Sequence, residues 1–379
     1  MNTHRIYLDN AATTPMDPEV IEVMTRGMKD VYGNPSSIHA LGRESRSVIE
    51  KARKRISGYL NCTPSEIFFT SGGTEADNMA IQTSVSDLGV KHIITSPIEH
   101  HAVLHTIQNL SREGKITFSL LDLDKEGKIS NDQLEEMLKG KPKTMISLME
   151  ANNEIGTLND INRIGELAAE HNALFHSDTV QTMGHYAHDL QKQKLHFLAS
   201  AAHKFHGPKG VGFIYIRNTV KVHPFIHGGS QERNMRGGTE NLLGIMGLDK
   251  AFEIAETHRT RHQESIQALK TYMADRILKE IPDTIMNGAK KPEEGLYTVL
   301  NISFPESDLG EMLLFNLDIQ GISASGGSAC SSGSDQGSHV LTALGVSANR
   351  PSVRFSFSKF NTREEIDKTV EVLKKILNP

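Results

Sequence analysis

The 379-residue sequence contains no tryptophan and only two cysteines, Cys62 and Cys330. Two thiols supply neither a disulfide framework nor a cysteine-based zinc cluster, so each is read as a free thiol in a reducing compartment. Long apolar runs are missing as well. The start, MNTHRIYLDNAATTP, offers only the triplet Ile6, Tyr7 and Leu8. That is far short of a secretion-signal core, and nothing later approaches the roughly 18 apolar residues of a membrane span. A cytoplasmic protein without membrane contact is expected. No block of lysine and arginine occurs and the formal net charge is -5, so the electrostatic footprint of nucleic-acid binding is absent. HExxH and paired CxxC patterns are also absent despite 18 histidines, and no metal is expected. Asp122, Asp124, Glu126, Gly127 and Ile129 imitate a calcium loop, but the twelfth position is Gln133 and the preceding residues alternate like a strand. A strand, a turn and a capped helix are expected there.

What is present is enough for a large core. With 37% hydrophobic and 23% charged residues the composition is that of a folded globular chain. The length is two to three times that of a domain of about 150 residues, which argues for two lobes. Short runs rich in Ile, Val and Phe at 67–70, 92–96, 116–121, 144–149, 173–177, 197–200 and 211–216 alternate with helical-period segments. That pattern predicts an α/β lobe with a large seven-stranded, mostly parallel sheet. Asp17 caps and Pro18 opens a helix that Gly33 and Pro35 close. A second helix at 160–171 places Ile161, Ile164, Leu167 and Ala168 on one face. After about residue 255 come a charged helical stretch at 256–280, strands at 297–304 and 352–357 and a helix from Thr362. The division expected is a large domain at 16–255 and a smaller α+β domain from 1–15 and 256–379. A Gly/Ser-rich loop, 323–338, interrupts the smaller one.

Three motifs carry chemistry. SGGTEADN, from Ser71 to Asn78, follows a strand and opens a helix, where glycines and free amides favour a phosphate. HSDTVQ sets His176, Asp178 and Gln181 at the C-terminal end of a predicted strand, the edge where α/β sheets bind ligands. SAAHKFHGPKG puts His203 and Lys204 between a strand and a turn. A phosphate cradle, a strand-end acid and a lysine amine are the groups that pyridoxal 5'-phosphate needs.

With LDNAATTP, NPSSIHALGRE, EHHAVLH, NNEIG, MRGGTEN and GSACSSG, these motifs make the chain resemble the cysteine desulfurases of the NifS/IscS type along essentially its whole length. The resemblance implies a fold-type I pyridoxal phosphate enzyme of the class-V aminotransferase family, homodimeric, which takes sulfur from L-cysteine as a protein persulfide and releases L-alanine. An acceptor protein, such as an iron–sulfur scaffold or a tRNA-thiolation partner, then receives the sulfur. By resemblance, Lys204 is the covalent cofactor anchor, His100 stacks on the ring and Asp178 pairs with its nitrogen. Asn153 and Gln181 match the contacts to the phenolic oxygen. Gly73, Thr74 and His203 match the phosphate ligands, and Thr239 is supplied by the other subunit. Arg354 corresponds to the arginine that holds the substrate carboxylate, Asn10 to a residue lining the substrate pocket, and Cys330 to the sulfur acceptor.

One departure stands out. Where the family commonly has a serine three residues before the lysine, this chain has Ala201, with Ser200 one residue earlier. Either Ser200 substitutes or the cradle has one hydroxyl fewer. The two thiols also differ: Cys62 in YLNCTPSE reads as a core residue, whereas SACSSGS gives Cys330 almost no apolar neighbours. At a thiol pKa of about 8.5 only a small fraction of Cys330 is thiolate at neutral pH, so catalysis must activate it. Selenocysteine lyase would share this machinery. A catalytically inactive interaction protein of the same fold is the alternative of another class, and the intact set Lys204, Asp178, His100, Arg354 and Cys330 speaks against it.

Overall fold

The computed structural model describes residues 5–141, 143–306, 312–326 and 337–377. Its strands are β1 (Ile6–Tyr7), β2 (Ile67–Thr70), β3 (His92–Thr95), β4 (Thr117–Leu120), β5 (Thr144–Ser147), β6 (Leu174–Asp178), β7 (Phe197–Ala201), β8 (Gly212–Ile216), β9 (Ile285–Asn287), β10 (Val299–Ser303), β11 (Ile322–Ser323) and β12 (Ser352–Ser356). Seven of them form one sheet in the order β2-β8-β7-β6-β5-β3-β4. Parallel pairing joins β4, β3, β5, β6 and β7, and β8 runs antiparallel to both β7 and β2. A mostly parallel sheet needs cover on both faces, and the apolar runs supply it. Ile146, Phe175, Leu198 and Phe213 point into one core, while their neighbours Met145, Leu174, Phe197 and Ile214 point into the other. The edge strand β4 is the most exposed of the seven, with none of its four residues fully buried.

A smaller antiparallel sheet, β12-β10-β9, and the pair β1-β11 lie outside this layer. Core membership changes across residue 258. The helix Leu242–Thr257 packs Ile245, Leu248 and Phe252 into the first core, and the helix Arg259–Glu280 packs Ile266, Met273 and Ile277 into the second. Ile6 and Leu8 belong to that second core although they begin the chain.

The sequence pattern predicts all seven strands of the large sheet to within two residues. The helix opened by Pro18 ends at Asp30, before Gly33, with Asp17 accepting from Glu19 N as its cap. The helical stretch expected at 256–280 is the helix Arg259–Glu280, which follows the helix Leu242–Thr257 across His258. At 117–138 the chain forms a strand, a turn closed by Asp124, and a helix capped by Ser130, and Gln133 hydrogen bonds Asp122 where a calcium ligand would be needed. Among the described residues no helix is long and apolar enough to cross a membrane.

Two glycines test this packing with opposite signs. A Cβ on Gly212 in β8 would stand 2.1 Å from Ser200 O and 2.9 Å from Gly72 Cα, both backbone, whereas a Cβ on Gly58 would meet nothing within 4 Å. Gly212→Ala should destabilise the chain by about 1–3 kcal/mol. Gly58→Ala, in a helix, should stabilise it by about 0.5–1 kcal/mol. Denaturant unfolding of both variants checks the pair; equal midpoints contradict it.

Candidate active site

The strands β2, β3, β5, β6 and β7 all end at one edge of the sheet, and the segments leaving them enclose a cavity of about 240 Å³. Its wall includes Gly73 and Thr74 after β2, His100 after β3, Asn153 after β5, Asp178 and Gln181 at the end of β6, and His203 and Lys204 after β7. Arg354 of β12 reaches the same wall from the smaller sheet. Nine of the residues singled out from the sequence thus meet in one place.

Lys204 follows β7 in a short helical turn, Ala202–Lys204. Its Nζ donates to the carbonyl oxygens of Ala11 at 2.6 Å and Ala12 at 3.0 Å. Ala11 O also accepts from Gln181 Nε2 at 3.1 Å. The same N-terminal segment meets His203, whose Nδ1 lies 3.2 Å from Thr13 Oγ1 and whose carbonyl accepts from Thr14 N and Oγ1, each at 2.9 Å. Burial, followed by repulsion from Lys204 and Lys209, pushes His203 down to about 4, so it is neutral.

The helix Gly73–Ser86 begins at the cavity with Gly72 as its cap. Gly72 has φ of 150°, which L side chains rarely adopt, and it has no side chain to close the first amides. An uncapped helix start with Thr74 beside it is an anion site in waiting.

Asp178 accepts from Val180 N at 2.9 Å. Burial raises its carboxyl above the usual range, against the opposing pull of His100 and Lys204. Behind it stands Asp77, 1% exposed and raised further by burial and by Asp178 itself. Ligand-type atoms of Asp77, His100 and Asp178 lie within 4.8 Å of one another. Burial therefore pushes both carboxyls toward their protonated forms. His176 Nε2 is 3.2 Å from Asp77 Oδ1 but out of line for a hydrogen bond, so both atoms are buried without a partner. His100 caps the helix His101–Arg112, its Nδ1 accepting from Ala102 N at 3.1 Å. That assigns the proton of the neutral ring to Nε2. Burial holds His100 below the usual imidazole range.

Arg354 is 1% exposed. Its Nη2 pairs with Asp9 Oδ1 at 2.9 Å and its Nη1 donates to Asn153 O at 3.0 Å. Its Nε is buried and has no hydrogen-bond partner among the described residues. Asn10 does not line the cavity: its Nδ2 donates to Ser356 O at 2.8 Å, and Ala11 and Ala12 take the wall instead. Thr239 lines a separate cavity of about 230 Å³ with Thr70, Ser71 and Arg236, away from Lys204 of its own chain. Of the pair at the end of β7, Ala201 faces the cavity, and Ser200, on the other face by strand alternation, has its Oγ buried with no partner among the described residues. Cys330 lies outside the described residues. Cys62 is half-buried against the first core, and burial, then Glu66, pushes its thiol up to about 12.

Four residues of the site escaped the sequence reading. Asp9, Asp77 and the buried Glu99 and Glu154 are acids inside recognised motifs, but nothing in their spacing tells that they face inward. Glu99 accepts from Ser96 Oγ and twice from Met149 N, fixing the segment that leads to Asn153.

Burial pushes the Glu99 carboxyl up to about 8, so the folded chain keeps it protonated at neutral pH. Its stabilising contribution is complete below the unfolded value of about 4.3 and is lost as pH rises through the folded value. Glu99→Gln stays neutral throughout. It should therefore gain on the native chain between about pH 5 and about pH 8, by up to about 1.4 kcal/mol per pH unit. Denaturant midpoints of both chains across that range measure the difference; a constant difference contradicts the buried acid.

The family model described as aminotransferase class-V matches residues 6–369. The cysteine desulfurase IscS of Dictyoglomus turgidum is 44% identical over 377 residues, covering 98% of this chain and 94% of that one. The IscS of Methanosarcina thermophila is 44% identical over 378 residues, covering 98% and 92%. Among solved structures, a NifS-like protein superposes with a TM-score of 0.90 at 36% identity, covering 99% of each chain. The structure of SspA in complex with cysteine gives 0.82 at 32% identity, covering 94% of this chain and all of that one. On this evidence the chain belongs to the aminotransferase class-V family, within its NifS/IscS-type cysteine desulfurases.

Proposed function

We infer that the chain is a pyridoxal phosphate-dependent cysteine desulfurase, converting L-cysteine to L-alanine and passing the sulfur on as a persulfide. The observation that carries this reading is the convergence of an amine (Lys204), a buried acid (Asp178), an uncapped helix start (Gly73, Thr74) and a buried arginine (Arg354) on one cavity. This donor set fits the cofactor. Lys204 would anchor its aldehyde, Asp178 its ring nitrogen, and Gly73, Thr74 and His203 its phosphate, with Asn153 and Gln181 beside the phenolic oxygen and His100 over the ring. The phosphate cradle lacks one hydroxyl, since Ala201 and not Ser200 faces it. That costs about 0.5–1.5 kcal/mol, less where water substitutes. When bound, the cofactor withdraws electrons from the substrate Cα and so weakens the bond to sulfur.

The protein's own part follows from the geometry. Arg354 holds the substrate carboxylate; its unpartnered buried Nε–H supports this role, and Asp9 keeps the guanidinium in place. Lys204 takes the Cα proton, in a site where backbone carbonyls already orient its amine. His100, neutral with its proton on Nε2, exchanges protons with substrate or with the Cys330 thiol. Cys330 thiolate attacks the substrate Sγ: the new S–S bond forms, the Cβ–Sγ bond breaks, and its electron pair stays with the carbon fragment. That fragment takes up a proton and leaves as L-alanine.

We read 16–255 as the cofactor-holding lobe, and 1–15 with 256–379 as the lobe carrying Arg354 and Cys330. The chain acts as a cytoplasmic homodimer in which Thr239 of each protomer completes the partner's phosphate site, and a sulfur-acceptor protein of iron–sulfur assembly or tRNA thiolation relieves Cys330 of its persulfide.

Two variants test the chemistry. Lys204→Ala should lose turnover by at least about 10²–10⁴-fold while keeping its fold. Cys330→Ala should still bind cofactor and cysteine yet release almost no alanine from cysteine. From selenocysteine it should still release alanine, because the more acidic selenol on a weaker bond leaves without a protein nucleophile. Wild-type alanine release from cysteine by either variant would falsify the assignment of that residue.

A further inference from the structure

The chain makes an improbable turn at Glu232, Arg233 and Asn234, whose φ values are 45°, 55° and 65°. Three successive non-glycine residues in the left-handed region persist only where their surroundings hold them there. Glu232 supplies the hold. Its Oε2 accepts from Arg53 Nη1 and from Phe69 N, and its Oε1 from Arg53 Nη2, all at 2.8 Å. Arg53 Nη1 also donates to Ile67 O at 2.7 Å, so the pair closes the outer edge of β2. The two side chains are 2% and 3% exposed. Buried ion pairs are costly to assemble and are better at fixing geometry than at adding stability.

What this pair fixes is the approach to Thr239. On either side of the turn the chain doubles back on itself: Phe225 N donates to Met235 O at 3.2 Å and Gly237 N to Ile226 O at 2.8 Å. Gln231 Oε1 then accepts from Gly238 N at 3.1 Å. Arg236 fastens the same arm with a two-point pair to Glu75, at 2.9 and 3.2 Å. Thr239 emerges exposed from this braced arm, and the cavity it lines holds none of the Lys204 machinery of its own chain.

We propose that Glu232, locked by Arg53, is a positioning residue that holds Thr239 in place for the phosphate site of a second copy of this chain. The proposal rests on the reading of Thr239 as a ligand supplied in trans.

The test uses cofactor affinity, measured by titrating pyridoxal 5'-phosphate into apoprotein. Glu232→Gln homodimers should bind about tenfold more weakly than wild type. Arg53→Lys, which keeps the charge but loses the two-point grip, should fall between the two and serves if Glu232→Gln does not fold. The decisive sample is a hybrid dimer, co-expressed with two tags and purified through both, joining one Glu232→Gln protomer to one Lys204→Ala protomer. Its only site with a lysine anchor sits in the Glu232→Gln protomer and receives an intact arm from the partner. That site should regain wild-type affinity. A hybrid as weak as the Glu232→Gln homodimer shows that the arm serves its own chain and overturns the proposal, as do single variants with wild-type affinity. A wild-type chain that takes up no cofactor overturns instead the reading beneath it.

Discussion

The structure depends on where the N-terminal segment runs. Leaving β1, which pairs with β11, residues 9–14 cross to the edge of the large sheet, and their backbone carbonyls hold Lys204 and Gln181 while Asp9 holds Arg354. An ammonium and a guanidinium inside a protein need acceptors within hydrogen-bond reach, or their burial is prohibitively costly. Here one short loop supplies acceptors to both, one cation from each sheet. The positions of Lys204 and Arg354 are therefore set by the same few residues, so a displacement of either sheet is felt at both cations.

Around these cations, burial sets the direction in which each titratable group is shifted. His203, His176 and His100 are held neutral by burial, while Asp77, Asp178 and Glu99 are pushed toward their protonated forms. A protonated ring nitrogen beside Asp178 would give the acid pair the cation that the protein itself does not put in hydrogen-bond contact with it. On the proposed reading, that partner is what offsets the burial of the strand-end acid. Cys62 is disabled by burial, which leaves Cys330 as the residue whose chemistry is open to activation.

Much of this was legible in the sequence, for identifiable reasons. Strands such as IFFT and GFIYI are buried on both faces, so each residue carries the signal and the boundaries fall within two residues of prediction. The motifs at strand ends were legible because βα turns concentrate ligand groups at one edge. The helix Leu242–Thr257 carries no such marker: it is apolar on most of its circumference, and its junction with the next helix at His258 involves neither glycine nor proline. The pairing of β1 with β11 joins residues 316 positions apart, Ile6 with Ile322, through two residues each, and no local pattern encodes it. Asn10 was singled out in LDNAATTP because it matches a position that lines the substrate pocket in the family the chain resembles. The groups that meet Lys204 in that motif are the carbonyls of two alanines, which side-chain chemistry does not reveal. Thr239 was legible only through resemblance, since no local pattern marks a threonine after two glycines as a ligand.

The central claim is that sulfur leaves cysteine onto one thiol of this chain. The most direct measurement is mass spectrometry of the holoprotein after one brief exposure to L-cysteine without acceptor or reductant, with each cysteine-containing peptide read separately. The account predicts one added sulfur atom on the Cys330 peptide, none on the Cys62 peptide, and an equal amount of released alanine. Alanine formed with neither thiol carrying sulfur, or sulfur found on Cys62 instead, would contradict it.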